Sequence, residues 1–205
     1  MKPNSEGRYP DALRRVLLLA PAASGLLSAC GARPAPFQNT DITGADFGKD
    51  FSLTDHHGRV RQRADFRGRI LTVFFGYTQC PDVCPSTLSE MAQVMSQLGE
   101  RAAQVQVAFI TVDPERDTQA LLAEYVPAFH PSFLGLRGDL ETTARTAKAF
   151  RVFYQKVKGK TPDQYTIDHT AGSYVYDRQG RIRLFIKHGT GPAPILADLR
   201  RLLDE

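Results

Sequence analysis

Two cysteines are the residues of this sequence best suited to chemistry. Cys80 and Cys84 lie in residues 76–85, GYTQCPDVCP, between an apolar strand pattern and a predicted helix whose first turn begins at Pro85. Four positions along a helix is about one turn, so both sulfurs can reach one point in space. Unpaired backbone N–H groups and the positive end of the helix dipole favour thiolate over thiol there.

Three functions remain open for this cysteine pair. A structural disulfide would close a very small loop, which restrains the unfolded chain less than a long crosslink does. Thiol–disulfide exchange usually uses cysteines separated by two residues, whereas three residues separate this pair. Two thiolates alone suit Cu(I), and two thiolates with an imidazole suit copper in either oxidation state.

The copper hypothesis requires a histidine, and the sequence has five. Four of them are expected to serve elsewhere: His56 and His57 as exposed residues of a hairpin turn, His130 as a cap at a helix end, and His188 at a strand end. His169 stands just before a predicted strand at residues 173–176. Because strand ends in open α/β sheets cluster at the functional edge, His169 is the best placed of the five.

The elements that must position these residues follow an alternating pattern. Apolar runs predict buried strands at residues 69–77 and 105–112. Other strands are predicted at residues 51–53 and 60–62, which form a hairpin, and at residues 133–136, 173–176 and 181–186. One helix is predicted to begin at Pro85 and stop at Gly99. Two more helices are predicted to begin after caps at Asp117 and Asp139, and the last helix covers residues 195–202. This order predicts an α/β fold, with a mixed central β-sheet flanked by helices and an N-terminal hairpin extension.

Composition limits the possible classes of protein. Removing a 29-residue leader from the 205 residues leaves 176, the size of one domain. Apolar residues at 42% and charged residues at 23% exclude disordered, collagenous and multi-span membrane classes. The net charge is +4, of which the first 29 residues contribute +2, and no basic run follows. Nucleic acid is therefore not an expected partner.

The first 29 residues have the pattern of an export signal. Arg14 and Arg15 precede a mostly apolar stretch at residues 16–27, which is too short to span a bilayer. Residues 27–30, LSAC, resemble the bacterial lipobox, which predicts cleavage before Cys30 and lipidation of its sulfur. Both general and twin-arginine export fit the leader, and a start downstream of Met1 also fits.

The predicted organisation is a lipoprotein signal peptide over residues 1–29, a tether over 30–44 and a folded domain over 45–205. The protein is expected in a bacterial cell envelope, anchored to the membrane by lipid and facing the periplasm or the cell exterior.

Three segments resemble the signatures of the Sco/SenC family of copper-binding assembly proteins, which have a thioredoxin-like fold. They occur in the family's order, and similarity extends over about residues 45–204. The segments are residues 74–85 (FFGYTQCPDVCP), 112–118 (VDPERDT) and 165–170 (YTIDHT). A lone Cys-x-x-x-Cys is a weak signature, but the three together are specific to the family.

The resemblance implies that Cys80, Cys84 and His169 bind one copper ion, as Cu(I) or Cu(II). Asp113 matches a family acid near the site, and a turn or a helix cap is an equally good interpretation of it. Gln79 stands where many family members have a histidine. That histidine is not one of the three ligands, so this difference affects the fine tuning of the site and not copper binding itself.

The implied function is that of a monomeric, membrane-tethered copper chaperone. It would deliver copper to subunit II of cytochrome c oxidase or another copper protein, or keep that subunit's cysteines reduced. Thioredoxins place a cis-proline opposite their dithiol, where this chain has His169, and this exchange favours metal binding. The alternative is an exported thiol–disulfide oxidoreductase that uses the same cysteines without metal; a lipoprotein with a merely structural disulfide is a third possibility.

Overall fold

A computed structural model describes residues 36–159 and 164–205. The predicted signal peptide and Cys30 lie outside the described residues. Within them the strands are β1 (Thr40–Asp41), β2 (Ser52–Asp55), β3 (Val60–Gln62), β4 (Ile70–Gly76), β5 (Val105–Thr111), β6 (Leu134–Arg137), β7 (Tyr154–Lys158), β8 (Tyr165–His169), β9 (Gly172–Tyr176) and β10 (Ile182–Lys187). The helices are α1 (Val83–Leu98), α2 (Gln119–Tyr125), α3 (Leu140–Ala149) and α4 (Pro192–Asp204).

The central sheet is mixed and has the strand order β1-β10-β9-β4-β5-β6-β2-β3. Strands β4 and β5 are buried at every position and pair in parallel from Ile70↔Val105 to Gly76↔Thr111. Such burial on both faces requires a continuous apolar run, which these strands have. Strand β9 pairs antiparallel to β4, so the predicted mixed α/β sheet is confirmed.

Helix α1 connects β4 to β5 and places the cysteines at the carboxyl end of β4. Its buried side chains recur at helical spacing, and it contacts α4. The helix ends at Leu98, and the following Gly99 has a φ of 59°, a conformation that glycine adopts without steric cost. The predicted stop at Gly99 is confirmed. Among the described residues, none of the helices has the length and apolar character needed to cross a membrane.

Of the two helix caps predicted from the sequence, the cap of α3 is confirmed and the cap of α2 is not. Asp139 caps α3, since its carboxylate accepts a hydrogen bond from the Thr142 N–H at 2.7 Å. The cap of α2 is Thr118 rather than the predicted Asp117. The carboxylate of Asp117 is turned into the protein, where other donors satisfy it.

The predicted N-terminal hairpin is confirmed as β2 and β3, and it lies at one edge of the sheet, where β2 pairs with β6. The prediction that His56 is exposed is wrong. Its side chain is buried, and Nδ1 accepts a hydrogen bond from the Gly135 N–H at 3.0 Å, which fixes the turn against β6. His57 is exposed, as predicted.

The packed unit begins before the predicted domain boundary at residue 45. Its described residues are 37–159 and 164–205, and β1 pairs with β10 at the edge opposite the hairpin. The buried carboxylate of Asp198 on α4 accepts hydrogen bonds from the backbone N–H groups of Gln38 and Asn39 and from the Asn39 side chain. The second half of the predicted tether at 30–44 is therefore bound to the fold.

Strands β7 and β8 form a separate two-stranded sheet that the sequence analysis missed. They pair antiparallel from Tyr154↔His169 to Lys158↔Tyr165. Ile167 is the only buried residue in the two strands, so the apolar run that marks β4 and β5 is missing. The last residue of β8 is His169.

Candidate metal centre

The two cysteines sit at the junction of β4 and α1. Cys84 is the second residue of α1, which begins two residues before the predicted start at Pro85. Cys80 lies in the preceding loop and is partly exposed, whereas Cys84 is 0% exposed. Both thiols are free. The pair therefore combines one thiol that solvent can reach with one that it cannot.

The β7–β8 hairpin brings His169 to the same place. Its strand is attached to the cysteine loop because the Ile167 N–H donates to the Tyr77 hydroxyl at 3.2 Å. The imidazole meets the rings of Phe74 and Tyr77 edge-on, with centroids 6.0 Å away in both cases. The aromatic walls hold the ring in one orientation.

The hydrogen bonds of the imidazole indicate which nitrogen faces the sulfurs. Nδ1 of His169 lies 3.1 Å from the carbonyl oxygen of Thr170, which can only accept, so Nδ1 carries the proton. Nε2 then presents its lone pair to Sγ of Cys84 at 3.5 Å. A backbone carbonyl that orients an imidazole in this way is usual for metal-binding histidines.

Three ligand atoms of the kinds predicted come together here. The two Sγ atoms and one imidazole nitrogen of Cys80, Cys84 and His169 all lie within 4.8 Å of one another. Metal–ligand bonds near 2.0–2.3 Å in comparable zinc sites would bring such atoms somewhat closer together around one ion. The donor set fits a soft ion after a small closure, and copper belongs to this class.

Burial sets the protonation of the cluster. It raises the pKa of the Cys84 thiol well above its usual range, and the negative charge of a Cys80 thiolate would raise it further. Burial thus opposes the thiolate that the helix end is expected to favour at Cys84. Burial also lowers the pKa of His169, which keeps the imidazole neutral. An arriving metal ion must therefore displace the proton of Cys84.

Gly76 is a site residue that the sequence analysis did not single out. A Cβ at this position would stand 2.8 Å from Sγ of Cys84 and 2.8 Å from a ring carbon of Phe109. The space that glycine leaves is therefore filled by the thiol. A glycine that ends a buried strand immediately before the cysteine loop is the sequence feature that could have indicated this close approach.

Asp113 lies near the site but is not aimed at the cluster. Its Oδ1 accepts a hydrogen bond from the Tyr165 hydroxyl at 2.8 Å, and its Oδ2 pairs with Arg116. Its backbone carbonyl accepts hydrogen bonds from the N–H groups of Arg116 and Asp117, as the turn interpretation requires. Asp113 thus forms a turn and also supports the hairpin that ends at His169.

Asp117 anchors the cysteine loop, a role that the sequence analysis missed. Its buried carboxylate accepts hydrogen bonds from the N–H and hydroxyl of Thr78, at 3.1 and 2.6 Å, and from the hydroxyl of Thr111 at 2.6 Å. Burial raises the pKa of Asp117, although these hydrogen bonds oppose the effect. The Thr78 contacts hold the loop that leads to Cys80.

The remaining histidines have other partners in the described structure. Nδ1 of His130 accepts from the Ser132 N–H rather than capping a helix, and Nδ1 of His188 lies 3.1 Å from the Thr87 hydroxyl. Among the described residues, one cluster of three or more histidine, cysteine or acidic side chains has the spacing to hold a metal ion, and it contains His169 alone of the five histidines.

The fold and the cluster define a thioredoxin-like α/β protein with two thiols and one imidazole where its central strand meets its first helix. The SCO1/SenC family model matches residues 39–204. The chain therefore belongs to the SCO1/SenC family.

Individual relatives agree with this assignment. The mitochondrial SCO2 homologue of Bos taurus is 42% identical over 154 residues, which are 74% of this chain and 58% of that protein. The match thus spans less than two thirds of the bovine relative. The copper-bound structure of ScoI from Bradyrhizobium japonicum is 41% identical, with a TM-score of 0.71 over 76% of this chain and 99% of that one. Apo Sco1 from Thermus thermophilus is 37% identical, with a TM-score of 0.73 over 83% and 99%.

Proposed function

We propose that this protein is a copper chaperone that binds one copper ion through Cys80, Cys84 and His169 and passes it to another copper protein. The observation that supports this most strongly is the approach of two sulfurs and one imidazole nitrogen within 4.8 Å. The copper bound to the Bradyrhizobium japonicum relative supports it as well. By the family resemblance, the recipient is subunit II of cytochrome c oxidase.

Ligand exchange is sufficient for this function. Cys80 and His169 are both partly exposed, whereas Cys84 is buried, so an incoming ligand of the recipient would first replace the Cys80 sulfur or the imidazole. Cys84 is buried and would release the ion last. As the ion leaves, the buried Cys84 sulfur recovers a proton, because burial favours the neutral thiol.

A second candidate function is thiol–disulfide exchange, by which the protein would reduce the cysteines of its partner. The free pair with one accessible and one buried thiol favours it. The Cys80 thiolate would attack a partner disulfide and release one partner thiol. Cys84, after losing its proton, would attack the mixed disulfide, so that the partner leaves with two thiols and the pair is oxidised. The raised pKa of Cys84 slows the second step.

We also propose that Cys30 is lipidated and holds the protein on the outer face of the cytoplasmic membrane. The support is the lipobox-like LSAC at residues 27–30. Mass spectrometry of the protein from its native membrane is expected to show acylated Cys30 as the first residue. An unprocessed chain that begins at Met1 would contradict the anchor.

The copper function is tested by anaerobic titration of the reduced protein with Cu(I) against a competing chelator. The wild type is expected to bind one equivalent, and Cys80→Ser and Cys84→Ser are each expected to bind at least about tenfold more weakly, since Cu(I) depends on both thiolates. Transfer to a copper-free recipient is then followed after mixing. Wild-type affinity in both serine variants would refute the proposal.

A further inference from the structure

Arg116 lies between the loop that carries the cysteines and the strand that carries His169. Its Nη1 donates to the side-chain oxygen of Gln79 at 3.0 Å, one residue before Cys80. The same nitrogen donates to the backbone carbonyl of Tyr165 at 3.0 Å, at the start of β8. One guanidinium thus bridges the two segments that supply the cluster.

The guanidinium has further contacts through its ring-facing side and its Nε, while its buried Nη2 has no hydrogen-bond partner among the described residues. Its carbon lies 3.5 Å from the centroid of the Tyr165 ring and 5.7 Å from that of Tyr77. Its Nε pairs with Asp113, whose side chain is 0% exposed, and the other oxygen of Asp113 accepts the Tyr165 hydroxyl. Only 16% of the Arg116 side chain is exposed, so water screens these interactions weakly.

His169 ends a strand that this bridge attaches to the cysteine side. The β7–β8 pair is a small sheet of its own, and two isolated strands are marginally stable in water. Apart from the contacts of the His169 imidazole itself, the described hydrogen bonds that join β8 to the cysteine side are those of Arg116 and Asp113 with Tyr165, and that of Ile167 with Tyr77. Since His169 ends β8, a loosened strand moves the imidazole away from the sulfurs.

We infer that Arg116 is a positioning residue that holds His169 in register with Cys80 and Cys84; the inference rests on the proposed copper function. Arginine suits this role because its planar guanidinium stacks on the Tyr165 ring while Nε pairs with Asp113 and Nη1 donates to two acceptors, an arrangement that the single ammonium of lysine cannot reproduce. A displaced His169 should weaken the binding of Cu(II) more than the binding of Cu(I). Two thiolates suffice for Cu(I), whereas Cu(II) prefers nitrogen and more ligands.

Arg116→Lys is the informative variant. It keeps a cation beside the buried Asp113 carboxylate, so the fold is retained, but it loses the bridge. We expect its Cu(II) affinity to fall by about 10- to 100-fold, the range typical of residues that orient metal ligands. Its Cu(I) affinity should change by less than about threefold. Arg101→Lys is the matched control, because Arg101 pairs with Asp204 on the surface and should leave both affinities unchanged.

A double-mutant cycle separates positioning from a general loss of structure. Once His169 is replaced by alanine there is no imidazole to position, so adding Arg116→Lys should lower Cu(II) affinity by less than about twofold. Equal losses for Cu(I) and Cu(II), or a full second loss in the His169→Ala background, would overturn the inference.

A measurement without metal completes the test and separates the two proposals. Hydrogen exchange of the β8 amides in the apo protein should be faster in Arg116→Lys than in the wild type or in Arg101→Lys. Unchanged exchange would overturn the positioning role. If copper binding by the wild type did not depend on His169, the proposed function would be overturned instead. The hydrogen-exchange result would still decide the role of Arg116.

Discussion

Gly76→Ala tests whether the position of Cys84 depends on the space beside β4. The φ of Gly76 is not positive, so alanine is compatible with the backbone and the effect is steric. The new Cβ would stand 2.8 Å from Sγ of Cys84 and 2.8 Å from the Phe109 ring. Ordinary contacts begin at 3.4 Å, so these neighbours must move by about 0.6 Å to restore one.

The expected cost has two parts. Overpacking of this kind destabilises a core by about 1–3 kcal/mol, which lowers the Tm by about 2–4 °C per kcal/mol for a domain of this size. A shift of 0.6 Å in Sγ also exceeds the tolerance of about 0.2 Å for metal–ligand distances. Because Cys84 would serve both oxidation states, Cu(I) and Cu(II) affinities should each fall at least about tenfold.

The assay compares thermal unfolding and anaerobic copper titration in Gly76→Ala and Gly138→Ala. Gly138 is an equally crowded control, since its Cβ would stand 2.9 Å from the Thr142 side chain on α3. The control should lose stability without losing copper affinity. Wild-type copper affinity in Gly76→Ala, or equal loss of affinity in both variants, would refute the reasoning.

Two other predictions concern redox state and pH. Protein oxidised to a Cys80–Cys84 disulfide should bind copper at least about tenfold more weakly than reduced protein, because a disulfide offers no thiolate; equal affinity of the two forms by titration would contradict this. Burial holds the pKa of His56 below its usual 6.5. As the pH falls, His56 is therefore protonated at a higher pH in the unfolded chain than in the folded protein. Stability should therefore be full above about pH 6.5 and decline as the pH falls through the lower folded pKa, by at most about 1.4 kcal/mol per pH unit. His56→Asn, which keeps an acceptor for the Gly135 N–H without titrating, should show a flatter decline of Tm with pH; an unchanged slope would be evidence against this assignment.

The central strands could be predicted because burial on both faces requires a continuous apolar run, and β4 and β5 contain one each. The two sulfurs are close, as predicted, but helical spacing is not the reason, because Cys80 lies in the loop before α1. In contrast, β7 (YQKVK) and β8 (YTIDH) mix polar, charged and apolar side chains, and only Ile167 is buried. Their stability comes from contacts with Tyr77, Asp113 and Arg116, which lie far away in the sequence.

The errors at single residues have the same origin. Asp117 is a residue type that often caps helices, but its carboxylate accepts hydrogen bonds from the hydroxyls of Thr78 and Thr111 instead. His56 occupies a turn that would be exposed in an isolated hairpin, and it is buried because the hairpin packs on β6. The high pKa of Cys84 depends on how completely the core surrounds its sulfur. None of these tertiary contacts is visible in local sequence.

The most direct test of the copper assignment is a titration of His169→Ala with each oxidation state of copper, beside the wild type. Both sulfurs remain in the variant, so Cu(I) binding should largely survive, whereas Cu(II) affinity should fall at least about 10- to 100-fold. Disulfide reductase activity should change little, since it depends on the thiols. Unchanged Cu(II) affinity together with a collapse of reductase activity would contradict the account and favour the oxidoreductase.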